Sequence, residues 1–132
     1  MTDTYVYVIH EADWDSDAYL PSADGEGLGS EQLEPMFPEH KAFQAAVERL
    51  GAKLVGGEAL QSTKHGGTVV PGAGDRKVED AVYTDGPFTD TSEVISGFYM
   101  VQTDDEAVAR ELAALVPTGG HIEWRKVLPI GG

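Results

Sequence analysis

The chain contains no cysteine. Disulfides, thiol nucleophiles and thiolate-bound zinc are therefore excluded. No Lys or Arg precedes Lys41, whereas ten Asp and Glu do. No apolar run reaches the ~20 residues that a membrane-crossing helix needs. The opening "MTDTYVYVIHEADWD" lacks the basic segment and following apolar core of a secretory leader. A soluble, cytoplasmic protein is expected. With 23 acidic residues against 9 basic, the formal charge is −14. Such a surface repels phosphates and anionic lipids, so neither nucleic acid nor membrane is expected as a partner.

Cofactor and metal motifs are missing too. There is no Walker sequence, and "DGEGLGS" has no strand before it to make a dinucleotide-binding turn. "KHGGT" looks like an oxyanion loop, but no G-x-S-x-G nucleophile accompanies it. His10, His40, His65 and His121 show no metal-ligand spacing. "DWDSDAYLPSAD" sets Asp13, Asp15, Asp17 and Asp24 at calcium-loop positions one, three, five and twelve. The sixth position, which needs glycine, holds Ala18, and no regular helices flank the segment. The expectation is no cofactor and no metal. Trp14 and Trp124 read as packing residues.

What is present is the pattern of one compact domain over residues 1–132, with 41% hydrophobic residues. "TYVYVIH" (4–10) is β-branched and aromatic and predicts a buried strand. Residues 11–36, rich in acidic residues, Gly, Pro and Ser, exceed an ordinary connection and read as an inserted loop with a short helical piece near "SEQLEPMF". In "PEHKAFQAAVERLG" the residues Phe43, Ala46, Val47 and Leu50 form one helical stripe, and Gly51 is placed to cap it. "AKLVGGEAL" predicts a strand interrupted at Gly-Gly by a bulge. "GGTVVPGAGDRK" holds turn signals around a brief apolar run, and "EDAVYT" and "EVISGFYMVQ" predict two more strands. "TDDEAVARELAALVP" starts with a capping box, Thr103 to Glu106, and sets Val108, Leu112 and Leu115 on one side of a helix. "HIEWRKV" ends the pattern as a strand.

The order β-α-β-(β)-β-α-β is that of an α+β ferredoxin-like sandwich, an antiparallel sheet with two helices on one face. The first strand is apolar at both parities, Tyr5 and Tyr7 as well as Val6 and Val8. The uncovered face therefore needs a cover, and a homodimer joined face to face, enclosing a cavity, is expected.

"DGPFTDTSEVISGFYMV", the helix "DEAVARELAALVP" and the terminal "HIEWRKV" resemble the DGPF branch of the YCII-related family. The carrying residues are Asp85, Gly86, Pro87 and Phe88, then Gly97, Pro117, and Glu123 with Arg125. The first strand, the helix over 40–51 and "GGEAL" are similar to the family's layout as well. Only the length of the acidic segment departs from it. The resemblance implies a dimeric α+β barrel and says little about activity.

It also implies a histidine–aspartate centre, with the histidine at the start of the first helix. His40 has that position, eleven residues before Gly51. A helix N-terminus carries partial positive charge, which disfavours imidazolium and suits a proton acceptor. On sequence alone an exposed helix-terminal histidine is the simpler reading of the same residue. Asp85 lies in "VYTDGPFTDTSEVISGFYMV", where residues 85–92 separate two strands, longer than a tight hairpin needs. Pro87 stiffens that loop and Phe88 anchors it, a means of presenting a carboxylate to a pocket. An Asp-Gly turn alone would account for the same residue. Glu58 is a candidate second carboxylate, and Glu58 with Phe88 are the candidate substrate contacts.

Two functions fit. One is a small lyase or isomerase on an organic acid or ring compound, with His40 as general base and Asp85 as its orienter or as the acid. The other is a non-catalytic module that binds a small ligand or a protein.

Overall fold

The structure is a computed structural model and describes residues 2–12, 38–60, 66–85 and 94–130. The inserted acidic loop expected over 11–36 lies almost wholly outside the described residues. In chain order the elements are β1 (Asp3–Glu11), α1 (Pro38–Arg49), β2 (Lys53–Ala59), β3 (Gly67–Val70), a 3₁₀ turn (Val78–Asp80), β4 (Val82–Asp85), β5 (Val94–Thr103), α2 (Glu106–Leu115) and β6 (His121–Lys126).

The four long strands make one antiparallel sheet in the order β2-β5-β1-β6. Leaving out β3 and β4, this is the strand order of a βαββαβ ferredoxin-like unit, and both helices pack on one face. Alternation assigns the faces. Tyr5, Tyr7 and Ile9 of β1 and Tyr99 and Val101 of β5 point to the helices, where they meet Phe43, Ala46 and Val47 of α1 and Ala109 and Leu112 of α2. Each large side chain buried there contributes about 1.5–3 kcal/mol. The opposite face carries Val6, Val8, Phe98 and Met100, all half-buried in the single chain.

α1 forms because its apolar residues recur at helical spacing, and it stops at Gly51. The Ala52 amide donates to the Val47 carbonyl and the Gly51 amide to that of Glu48, each at 3.0 Å, with Gly51 at φ +75°. This is the Schellman arrangement, which needs a left-handed residue at that point. The expected irregularity in β2 is present, with the register against β5 shifting between Leu54 and Gly56.

Two expectations need correction. Thr103 and Glu106 do not form a capping box: β5 runs on through Thr103, and Asp105 caps α2 by accepting from the Ala107 amide at 2.9 Å. Thr103 instead accepts from the Asp105 amide at 3.2 Å. Leu115 faces outward, 42% exposed, because the buried stripe of α2 runs through Ala109 and Leu112. β4 and β5, the strands on either side of the Asp85 loop, lie in different sheets. β4 pairs with β3, in a separate two-stranded ribbon with Gly67 opposite Asp85. Among the described residues, no helix is long and apolar enough to cross a membrane.

Candidate functional site

His40 sits in the first turn of α1, on the helix-covered side of the sheet. There its Nδ1 shares a short hydrogen bond with the hydroxyl of Tyr99. The two rings stack, centroids 5.3 Å apart and planes 18° from parallel. The second ring nitrogen, Nε2, lies 3.2 Å from Nε2 of Gln44, one helical turn on. With the Gln44 amide donating, His40 Nε2 accepts, and the ring proton resides on Nδ1 and is donated to the Tyr99 oxygen. Both ring nitrogens are thus engaged, one towards the core and one towards the exposed side.

Tyr99 is held from several directions. Its backbone pairs with Tyr7 on one side and Gly57 on the other. Its ring packs on Phe43 at 4.6 Å, and Phe43 meets Tyr7 edge-on at 6.4 Å. Gly57 supplies the space: a Cβ there would stand 2.8 Å from a ring carbon of Tyr99. Burial pushes the Tyr99 hydroxyl above its ordinary range. Tyr99 is therefore a neutral phenol at physiological pH. This neutral hydroxyl fixes the orientation of the His40 ring, and the Gln44 amide on the other nitrogen selects the tautomer. Tyr7, whose hydroxyl donates to the Ala109 carbonyl at 2.7 Å, is pushed up to about 12, first by burial and then by Tyr5.

Of the other expected site residues, the side chain of Glu58 alone lies among the described residues. Glu58 pairs with Phe98 and is exposed on the face opposite Tyr99, so the sheet stands between it and His40. Asp85 ends β4, and its side chain and all of Phe88 lie outside the described residues. The centre that the described residues do assemble is His40–Tyr99, with Gln44. Sequence reading missed Tyr99, which looks like one more aromatic in a strand. The available signal was its parity with Val101, facing the helices, opposite a glycine that leaves it room.

Two of the surface hollows among the described residues are lined without His40. One, about 510 Å³, lies between α2 and β6, and the other, about 400 Å³, lies on the β3–β4 ribbon beside Tyr83 and Gly67. Among the described residues no three His, Asp or Glu side chains gather to hold a metal ion.

An antiparallel sheet in this order, with both helices on one face, defines a ferredoxin-like α+β protein. The model of the YCII-related domain matches residues 6–130, and the chain belongs to that family. No curated protein matches it.

Proposed function

We propose that this protein moves a proton on a small organic acid or ring compound, as a lyase or isomerase, with His40 as the general base. The observation supporting this is the hydrogen bond between His40 Nδ1 and the Tyr99 hydroxyl. A base needs a fixed tautomer with a lone pair directed outward. A proton on Nδ1, given to the Tyr99 oxygen, leaves the Nε2 lone pair for a substrate proton, with the Gln44 amide as its resting donor. Asp85 keeps in this reading the role of acid or second orienting group, carried by the end of β4. The protein acts as a homodimer joined through the open sheet faces, a reading supported by the half-buried Val6, Val8, Phe98 and Met100 there.

Nuclear magnetic resonance tests this against a mixed set of small carboxylates and phenols. The expected outcome is that at least one compound shifts the His40 ring signals of the wild-type protein and that the shift is lost in Tyr99→Phe. Compounds that bind without touching those signals would contradict the reading.

One observation favours the second reading, a binding module without chemistry. The ribbon exposes Val69, Val70, Val82 and Tyr83, the last at 67%. Exposed apolar surface of this kind marks interaction sites. In that case the same experiment leaves His40 undisturbed, and Tyr83→Ser weakens capture of a protein partner while Tyr99→Phe does not.

A further inference from the structure

The hollow between α2 and β6 has a composition at odds with the rest of the molecule. The chain carries 23 acidic residues against 9 basic. The hollow is nonetheless lined by Arg110 and His121, by Ala113, Val116 and Ile122, and by Thr118 and Trp124, with no Asp or Glu lining it among the described residues. Arg110 has no ion pair among the described residues, although Glu106 stands one turn before it on α2. A guanidinium without an ion pair among the described residues, at the rim of a hollow of mixed polar and apolar lining, offers a contact for an anion.

The aromatic wall is fixed in advance. Trp124 packs against Tyr5 at 6.0 Å, which holds the indole on the helix-covered side of β6 while leaving it half-buried. The far end is built as tightly. Thr118 donates its hydroxyl to Glu11 at 3.1 Å and accepts from the Gly120 amide at 2.9 Å. Gly120 admits no side chain, because a Cβ there would lie 1.9 Å from the His10 carbonyl. The Glu11 carboxylate behind Thr118 makes this end hostile to an anion, so a negative group belongs at the Arg110 end.

We propose that this hollow binds a small aromatic carboxylate, its ring against Trp124 and its carboxylate on Arg110. The site is distinct from His40 and stands whether or not His40 is a base. Guanidinium pairs with a carboxylate through two parallel hydrogen bonds, and an indole face offers stacking to a flat ring. The open hollow, of about 510 Å³, has room for a molecule of this size.

The test uses benzoate as the probe and tryptophan emission as the signal. Trp14→Phe removes the only other tryptophan, so that Trp124 alone reports. Saturable change of its emission with benzoate is expected, with no such change for benzyl alcohol, which has the ring without the charge. Arg110→Gln on the same background is expected to weaken binding by about tenfold, the size of one charge-assisted contact. His40→Gln is expected to leave it unchanged, which separates this site from the proposed catalytic one. Absence of saturation with a folded Trp14→Phe protein, equal response to benzyl alcohol, or equal affinity in Arg110→Gln would each overturn the proposal.

Discussion

At the scale of single residues, the hydroxyls of Tyr7 and Tyr99 carry most of the structural meaning. Both belong to rings buried under the helices, and both are pushed above the ordinary phenol range by that burial. The sign of the effect on stability follows directly. A tyrosine in the unfolded chain releases its proton near pH 10, whereas folded Tyr7 holds it to about 12. The contribution is complete below pH 10 and is lost as the pH rises towards 12, because over that window only the unfolded chain gives up the proton. Denaturation at a series of alkaline pH values is expected to show this fall, and Tyr7→Phe is expected to reduce its slope. At neutral pH the same substitution costs about 1–2 kcal/mol, since the Ala109 carbonyl loses its donor. His40 was legible in sequence because a helix start can be read from the apolar stripe that follows it. Tyr99 was not, because its importance depends on which strand lies opposite, and the Gly57 pairing is a fact of sheet register.

Elements were legible where their signals are local. The stripe Phe43, Ala46 and Val47 with Gly51 behind it specifies α1 and its stop, and the structure returns both. The start of α2 was misread because Thr103 and Asp105 are both good caps, and local chemistry does not choose between them. The choice is made by β5, whose pairing of Thr103 with Asp3 keeps that residue in the sheet. Asp105→Ala is therefore expected to lower stability by about 1 kcal/mol in urea denaturation. Glu106→Gln, which would matter in a capping box, is expected to change stability by much less. The partner of β4 was likewise hidden. Residues 85–92 suggest a connection between neighbouring strands, but β3 competes for β4 and wins, in a register ending at Gly67 and Asp85.

For the molecule as a whole, the order of strands and helices was enough to place the four long strands in one sheet, since few topologies satisfy two β-α-β units in so short a chain. The face left open by α1 and α2 carries Phe98 beside Val8 at the centre of the sheet. If two such faces meet, Phe98→Asp puts a charge in the middle of the contact, and light scattering is expected to report the mass of a single chain for that variant and of two for the wild type. The candidate site was less legible than the fold, because it depends on contacts between residues 59 positions apart, His40 and Tyr99. The claim at the centre of this account is that His40 transfers protons. The most direct measurement is carbon-bound hydrogen exchange in heavy water, followed by proton resonance over a mixture of small carboxylates and ring compounds. The account predicts that at least one compound exchanges at carbon with wild-type protein, more slowly with Tyr99→Phe and not at all with His40→Gln. Exchange at the same rate in wild type and His40→Gln would contradict it.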